Sequence, residues 1–487
     1  MTARNGDCQV IIIGAGFGGL GMAIRLKQRG EHRFVILEQA DDVGGCWRDN
    51  TYPGAACDVP SHLYSFSFEP STGWSRAYAP QPEIHAYLRA CARKYGLLSH
   101  IRFGTCVRGA AFDARAGQWI VDAEPHQLRA RALVVACGQL SRPAMPRIAG
   151  IERFRGAQFH SARWNHDYAL DGRRVAVIGT GASAIQFVPA IAPRVSKLSL
   201  FQRSPAHVIP KPDRAYSSWE RALQRRLPAL TVASRAWSYL RHESRAPAMA
   251  VPTLMAGFEW LFRRHLERQI RDPELRKKLT PDYPIGCKRI LISNDYYPTL
   301  TRDNVDVVTD AIREITEDGI VTEDGSARGA ETPVDAIIYG TGFTANEFLA
   351  PMVIRGLHGT LASAWQHGAE AHLGITVSGF PNMFLLYGPN TNLGHNSIIY
   401  MLESQIHYVM QCLEALHRAR YLDVRADAQH AFNTNLQQQL AGSVWAGDCT
   451  SWYKTAEGKL TNNWPGFTFS YRRLTRTLDL DDYTIAQ

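Results

Sequence analysis

The sequence predicts an α/β protein with two Rossmann-like dinucleotide-binding domains and a helical insertion. Two glycine-rich loops carry this prediction, because each follows a β-branched strand and precedes a helical pattern. The first loop reads Gly14-Ala-Gly16-Phe-Gly-Gly19, and the second reads Gly179-Thr-Gly181-Ala-Ser-Ala184. A long helical stretch, Ser217–Leu279, follows the second loop, and 487 residues suit two or three domains.

Composition restricts the class of protein and its expected partners. With 45% hydrophobic and 20% charged residues, the chain has a globular composition. The net charge of +9 is spread without a basic tail, so we expect neither nucleic acid nor a membrane surface as a partner. No apolar run approaches the roughly 20 residues of a membrane span, and the N-terminal residues show no secretory leader.

The nine cysteines form no recognisable framework. Their number is odd, and none belongs to a Cys-x-x-Cys pair or a Cys/His cluster. We therefore expect no disulfide framework, no metal site and a reducing, cytoplasmic location.

The first glycine loop predicts a pyrophosphate site near the start of the chain. Strand Gln9–Ile13 leads into the loop and helix Leu20–Arg29 leaves it, so backbone N–H groups and a positive helix end face the ligand. The next strand, Arg33–Leu37, ends at Glu38, whose carboxylate is placed to hold ribose hydroxyls. This arrangement resembles FAD-binding oxidoreductases, and it makes candidate cofactor ligands of Gly14, Gly16, Gly19 and Glu38.

The second glycine loop predicts a site for NADPH. It lies between strand Arg174–Ile178 and helix Ile185–Ile191, and its candidate ligands are Gly179, Thr180, Gly181, Ala182, Ser183 and Ala184. The following strand, Lys197–Gln202, ends at Arg203 and Ser204 instead of an acid. A cation and a hydroxyl suit the 2′-phosphate that distinguishes NADPH from NADH. The alternative for Arg203 is an ordinary surface arginine.

Two further patterns narrow the class. One is Gly44-Gly45-Cys46-Trp47 followed by Tyr52-Pro53-Gly54 and Asp58; the other, within Phe154–Asn165, is Phe-x-Gly-x-x-x-His-x-x-x-Trp. Both resemble motifs of Baeyer–Villiger monooxygenases, flavoenzymes that insert one oxygen of O₂ next to a ketone carbonyl. The second family pattern usually continues with Pro or Asp, whereas this chain has Asn165. We interpret His160 in this pattern as a structural or gating residue and not as a base.

The resemblance implies a set of flavin contacts. They are Gly45, Cys46, Trp47, Tyr64 and Asp58, with the backbone of Val107 near the adenine. Asp58 is implied to be catalytic as well, because it would lie near the flavin ring and pair with an active-site arginine that it tunes and orients. Its alternative is a turn residue in the segment Asp-Val-Pro-Ser. Cys46 and Cys57 lie eleven residues apart, a spacing that argues against the dithiol of a disulfide reductase and favours packing roles.

The segment Pro284-Ile-Gly-Cys-Lys288-Arg289 carries the predicted catalytic arginine. By the same resemblance, Lys288 binds the NADPH 2′-phosphate and Arg289 faces the flavin. A guanidinium charged at any working pH stabilises negative oxygen in a water-poor site. The alternative for Lys288 and Arg289 is a surface basic pair.

In the tail, Ser451-Trp452-Tyr453 resembles a loop that folds over NADP, which makes Trp452 a cofactor contact. His395 is either a proton donor or a capping residue, and we leave it outside the catalytic set.

These features divide the chain into five segments. The FAD-binding domain is predicted to comprise residues 1–150 and 333–487, and its second part carries an aromatic tail. The NADPH-binding domain comprises residues 151–213 and 283–332. The helical insertion comprises residues 214–282. The strand Val334–Tyr339 is predicted to return the chain to the first domain, and Ile101–Val107 to open a small meander. A basic amphipathic insertion is either membrane-seeking or packed on its own domain, and the prolines within it favour packing.

The predicted function is that of an FAD- and NADPH-dependent Baeyer–Villiger monooxygenase. The resemblance implies that a flavin C4a-peroxide attacks a ketone and that an ester or lactone leaves, with O₂ and the ketone as small-molecule partners. One alternative is a monooxygenase of the same architecture that oxygenates amines or sulfides. The other is an NADPH-binding protein without oxygen transfer. The sequence does not identify the ketone, the regio- and stereochemistry or the oligomeric state.

Overall fold

The computed structural model describes residues 8–323, 326 and 329–487. Residues 8–160 contain three α-helices and seven strands: β1 (Cys8–Ile13), α1 (Phe17–Gln28), β2 (Phe34–Leu37), α2 (Cys46–Asp49), α3 (Gln81–Lys94), β3 (Ile101–Arg102), β4 (Gly109–Asp113), β5 (Gln118–Ala123), β6 (His126–Val135) and β7 (Ala157–His160).

The middle of the chain carries the second glycine loop and the insertion. Its elements are β8 (Arg174–Ile178), α4 (Ala184–Ile191), β9 (Lys197–Phe201), β10 (Val208–Ile209), α5 (Ser218–Arg226), α6 (Pro228–Glu243), α7 (Ala246–Ala250), α8 (Ala256–Gln269), α9 (Pro273–Lys278), β11 (Leu291–Ile292), α10 (Tyr296–Leu300), β12 (Val305–Val308), β13 (Ile312–Ile315), β14 (Gly319–Thr322), β15 (Ala330–Pro333) and β16 (Ala336–Tyr339).

The C-terminal part completes the molecule with longer helices. Its elements are β17 (Val353–Arg355), α11 (Leu361–Ala364), β18 (Met383–Leu385), α12 (Ile398–Ala415), β19 (Tyr421–Val424), α13 (Ala426–Ala441), α14 (Thr468–Leu474) and β20 (Tyr483–Ala486). Helix α12 packs on α1 and fixes the segment just before it close to the candidate site.

The first sheet has the order β17-β4-β5-β6-β1-β2-β3, and β18 also pairs with β6. Strands β18, β6, β1, β2 and β3 run parallel, and the last four residues of β1 are buried, as expected for a parallel sheet covered on both faces. The prediction that Ile101–Val107 opens a meander is wrong. Only Ile101–Arg102 is a strand, and it pairs in parallel with β2 at the sheet edge.

The second sheet has the order β12-β9-β8-β16-β7, and all its strands are parallel. Strand β16 lies between β8 and β7, so the prediction that Val334–Tyr339 returns the chain to the first domain is wrong. Its four residues are fully buried, because both neighbours and both faces cover it. The second sheet therefore extends to Tyr339, beyond the predicted boundary at residue 333.

The helical insertion does not pack as predicted. Six of the apolar side chains that indicated an inward face are exposed, namely Trp219, Leu223, Leu227, Trp237, Leu240 and Leu254, while Leu266 is buried and Phe258 and Leu261 are half-buried. For Trp237 and Leu240 the reason lies in α6, whose inward face is polar. Arg235 on that face donates to the backbone oxygens of His62 and Ser65, at 3.1 and 2.8 Å.

A disulfide joins Cys287 to Cys449, with 6.4 Å between their Cα atoms, and corrects the expectation that no disulfide forms. The two cysteines are 162 residues apart, so no local spacing reveals the pair. The bond ties the loop that carries Lys288 and Arg289 to the loop before Trp452. Among the residues that the structure describes, no helix is both long enough and apolar enough to cross a membrane.

Candidate active site

The structure brings Arg289 and Asp58, which are 231 residues apart, into direct contact. Two nitrogens of the guanidinium, Nε and Nη2, donate to Oδ2 of Asp58 at 3.0 and 2.6 Å. The third nitrogen, Nη1, donates to the backbone oxygen of Leu393 at 3.4 Å. Both side chains are recessed but keep 29% and 35% of their surface open. A fixed, partly open cation is therefore available to a bound group.

The pair holds its charges over a wide pH range. The Asp58 charge raises the pKa of Arg289 far above its usual value, so this group does not lose its proton at any working pH. Burial raises the pKa of Asp58. The charge of the facing Arg289 and the hydrogen bonds lower that pKa by more than burial raises it, so the net direction is downward. Asp58 consequently remains a carboxylate at neutral and mildly acidic pH.

Tyr453 and Leu393 complete the surroundings of Arg289, and sequence reasoning missed both. Tyr453 is buried, and burial raises its pKa even though the adjacent Arg289 charge opposes that change. Its neutral phenol therefore lies against a permanent cation. The Ser-Trp-Tyr pattern pointed to this loop, but only Trp452 was selected from it. The rings of Trp452 and Tyr453 lie 4.5 Å apart, which places Trp452 one residue from this centre.

The first glycine loop forms an open cradle. Gly14 has a φ of +102°, and a Cβ there would lie 2.6 Å from the carbonyl oxygen of Ala136, so no other residue fits. Gly16 faces Gly45. Neither glycine has a side chain, so the space between the two loops stays open. Backbone atoms thus line a surface that a phosphate can approach closely, as an FAD pyrophosphate requires.

Glu38 lies at the rim of this cradle and is 5% exposed. Its Oε2 accepts from the N–H of Ala15 at 2.9 Å, and its Oε1 accepts from the N–H of Ala40 and from Arg48, both at 3.0 Å. The carboxylate is therefore fixed beside the glycine loop, where the ribose was predicted. The chain that leads to Val107 runs past it, since the N–H of Thr105 donates to the Glu38 carbonyl at 2.9 Å.

An aromatic cluster flanks the cradle. The indole N–H of Trp47 donates to the hydroxyl of Tyr64 at 3.0 Å, and the Tyr64 ring packs edge-on against Phe17 at the start of α1. These contacts hold Tyr64 and Trp47 in place, and Trp47 is two residues from Gly45. Cys46 and Cys57 are both free thiols, so the structure gives no dithiol at this place.

The second loop forms a similar cradle beside β16. Gly179 has a φ of +111°, and a Cβ there would collide with the carbonyl oxygen of Gly340. Gly181 has only that oxygen within 4 Å of an added Cβ, and both Gly181 and Ala182 are exposed. Ser183 precedes α4, and the buried Ala184 begins it. Thr180 links the loop to the end of β9 by donating to the Ser204 carbonyl at 3.0 Å.

Lys288, Ser204 and Arg203 meet at the end of β9. The Lys288 ammonium donates to the Ser204 hydroxyl at 2.8 Å and lies 4.2 Å from the centre of the Tyr283 ring. Burial lowers the pKa of Lys288, and the nearby charge of Arg203 lowers it further. Two cations that face each other favour an anion between them, and a 2′-phosphate has the right chemistry.

The stretch Phe154–Asn165 contains β7, the edge strand of the second sheet. His160 is buried, its Nδ1 accepts from the N–H of Ala162 at 3.1 Å, and its ring meets Phe343 edge-on. Burial lowers the pKa of His160, so the ring is neutral near pH 7. Asn165 accepts from the N–H of Asp167 at 3.1 Å, a turn contact that an aspartate also makes, so the departure keeps the local structure.

Gln186 on α4 joins the two nucleotide units, and sequence reasoning missed it. Its side-chain oxygen accepts from the Tyr52 hydroxyl at 3.0 Å and from the N–H of Ala56 at 3.2 Å. Its amide nitrogen donates to the Ala56 carbonyl at 3.0 Å. The loop that leads to Asp58 is therefore attached to the helix that follows the second glycine loop.

Replacing Gln186 with Ala is expected to lower the free energy of unfolding by about 1–3 kcal/mol. The reason is that the backbone N–H and carbonyl of Ala56 lose their partner in a half-buried place. Urea denaturation followed by circular dichroism measures the change. The exposed Gln438 provides the control, because its replacement by Ala should change the free energy by less than about 0.5 kcal/mol. Equal effects of the two variants would contradict the assignment.

Two sheets, each with a glycine loop between a parallel strand and its first helix, define a class of proteins that hold two dinucleotides. The chain belongs to the flavin-binding monooxygenase-like family, whose profile matches residues 7–362. A Baeyer–Villiger monooxygenase of Pseudomonas aeruginosa is 50% identical over 98% of this chain and 91% of its own. A Baeyer–Villiger monooxygenase of Streptomyces coelicolor is 47% identical over 98% of this chain and 92% of its own length. The predicted resemblance is confirmed.

Solved structures agree with this family. An oxidised steroid monooxygenase bound to NADP superposes with a TM-score of 0.88 at 30% identity, and 99% of both chains is covered. A cyclohexanone monooxygenase from Rhodococcus sp. Phi1 bound to NADP⁺ gives a TM-score of 0.88 at 27% identity, covering 99% of this chain and all of that one. The predicted fold class is therefore confirmed over nearly the whole chain.

Proposed function

We propose that this chain is an FAD-dependent monooxygenase that consumes NADPH and inserts one oxygen of O₂ beside a ketone carbonyl. Ketone, O₂, NADPH and a proton give an ester or lactone, NADP⁺ and water. The observation that carries the proposal is the recessed ion pair of Arg289 and Asp58, whose loop Gln186 attaches to the helix after the second glycine loop. The names of the relatives in Pseudomonas and Streptomyces support the same reaction.

The chain's residues fit both cofactors. The backbone around Gly14, Gly16 and Gly45 would hold the FAD pyrophosphate, and Glu38 would hold its ribose. Trp47, Tyr64, Cys46 and the backbone of Val107 remain predicted contacts of the flavin and its adenine. When bound, reduced FAD supplies the electrons that activate O₂.

The NADPH site is assembled from the second glycine loop and the cation cluster. Residues 179–184 would bind the pyrophosphate, and Lys288, Arg203 and Ser204 would bind the 2′-phosphate. Trp452 would cover the nucleotide from the C-terminal loop, which the disulfide holds near Lys288.

Arg289 acts electrostatically in this proposal. Insertion of oxygen builds negative charge on an oxygen atom, and a cation already fixed in place stabilises that charge without reorganising. Asp58 holds two of the three guanidinium nitrogens and the Leu393 carbonyl holds the third, so the plane of the guanidinium cannot turn freely. Asp58 is therefore a positioning residue, and neither group has to exchange a proton.

The test is product analysis of the purified holoenzyme with NADPH, ¹⁸O₂ and a panel of cyclic, linear and aryl ketones and sulfides. We expect esters or lactones that contain one ¹⁸O atom. Sulfoxide as the sole product would favour the alternative monooxygenase. NADPH consumption that yields only H₂O₂ with every compound would contradict oxygen transfer.

A further inference from the structure

Helix α6 of the insertion is oriented with its apolar side outward. Its exposed face carries Leu230, Ala233, Trp237 and Leu240, spaced at i, i+3, i+7 and i+10. Leu230, Trp237 and Leu240 are 42%, 69% and 61% exposed. A helix at the surface of a globular protein normally shows the opposite arrangement, with the apolar stripe facing the core.

Polar contacts fix this orientation from the inside. Besides Arg235, which donates to backbone oxygens of residues 62–65, Ser234 bonds to the His62 ring at 2.7 Å. At the end of the helix the buried Glu243 accepts from the Asn396 side chain at 2.5 Å and from the Thr468 hydroxyl at 2.9 Å. Turning α6 over would break all these bonds, so the outward apolar stripe is a built feature of the fold.

Helix α5, which packs against α6, carries further exposed apolar side chains. Among the described residues, eighteen large apolar side chains are exposed, and seven of them lie within residues 219–240. We define the insertion face by six of these seven: Trp219, Leu223, Leu227, Leu230, Trp237 and Leu240; Val232 lies on another side of α6. An exposed apolar concentration of this kind marks a surface that another body covers.

The charge of the insertion face identifies the covering body. Arg225 and Arg226 end α5 directly before α6, and Arg241 lies in the last turn of α6; all three are exposed. Within residues 218–245, all of which the structure describes, the two acids are withdrawn. Glu220 pairs with Arg214 at 2.8 Å, and Glu243 is buried.

We propose that the insertion face docks the protein onto a bilayer surface that contains anionic lipids. Tryptophan and leucine would enter the boundary between headgroups and acyl chains, and the arginines would meet the lipid phosphates. The helix has 16 residues and would lie in the plane of the surface, since no described helix is fit to span it. A second copy of this chain fits less well, because it would place arginines against arginines.

The test is sedimentation of the holoenzyme with phosphatidylcholine vesicles that contain or lack phosphatidylglycerol. We expect binding only to the anionic vesicles, with weakening at high salt. The double variant Trp237→Ser/Leu240→Ser and the triple variant Arg225→Gln/Arg226→Gln/Arg241→Gln should each lower partitioning on the order of tenfold or more. These exposed side chains lie away from the nucleotide cradles, so flavin content and NADPH oxidation should stay at the parental level.

Matched variants elsewhere control for surface chemistry. Leu98→Ser/Val353→Ser removes two exposed apolar side chains outside the insertion, which are 47% and 48% exposed. Arg29→Gln/Arg93→Gln/Arg115→Gln removes three exposed arginines outside the insertion. Both should bind vesicles like the parent. Absent binding to anionic vesicles, or equal loss in control and face variants, would overturn the proposal. So would a dimer in analytical ultracentrifugation that Trp237→Ser/Leu240→Ser dissociates, because a second copy would then cover the face.

Discussion

Replacing Arg289 with Ala is expected to lower the rate of ester formation by about a thousandfold while flavin reduction by NADPH continues. The variant removes the one cation that Asp58 and the Leu393 carbonyl hold toward the open side of the site. Loss of a fixed donor to developing negative oxygen costs on the order of 10²–10³ in rate, and loss of full charge adds to that. Anaerobic stopped-flow spectroscopy measures the reduction step, and single-turnover product analysis measures the oxygen insertion.

The conservative variant separates charge from geometry. Arg289→Lys keeps a cation but offers one ammonium where the guanidinium bonds to Asp58 through two nitrogens, so we expect an intermediate rate of ester formation. Asp58→Asn should resemble it, because the guanidinium then faces a neutral amide in place of the carboxylate that orients it. Ester formation at the parental rate in Arg289→Ala would show that Arg289 has no catalytic role.

Replacing Lys288 and Arg203 together with Ala is expected to raise the KM for NADPH about a hundredfold. The two side chains form the cation cluster around Ser204, and a charge-assisted hydrogen bond to phosphate contributes about 1.5–3 kcal/mol. Steady-state kinetics with NADPH and NADH measure the effect.

NADH is the internal control for this experiment because it lacks the 2′-phosphate. The KM for NADH should change little, so the preference for NADPH should disappear in the double variant. If the KM values for both nucleotides rose by the same factor, the cluster would serve the shape of the domain and not the phosphate.

Local motifs predicted the parts of the site that are built locally. The glycine loops, Glu38 at the end of β2 and Arg203 at the end of β9 each depend on a strand, a turn and a helix that are adjacent in sequence. Contacts between distant segments were visible only through the family resemblance, as with Arg289 and Asp58. Gln186 lies in no pattern that carried the resemblance, and its partner Ala56 is 130 residues away. Tyr453 lay in the Ser-Trp-Tyr pattern, but its contact with Arg289 was visible only in the fold.

Three errors share one physical origin. The apolar run of β16 fits any buried parallel strand, so its residues do not reveal which of the two sheets it joins. Helical periodicity shows which residues of α6 share a face, but partners such as the carbonyls of residues 62–65 decide which face turns inward. The bond between Cys287 and Cys449 likewise follows from the fold that brings the two loops together.

The most direct test of the proposed function is stopped-flow absorbance after NADPH-reduced enzyme is mixed with O₂ and then with a ketone. The proposal predicts an absorbing species distinct from oxidised and reduced flavin, which decays faster when a ketone is present and yields an ester. Immediate return to oxidised flavin with stoichiometric H₂O₂, with every ketone and no ester, would contradict it.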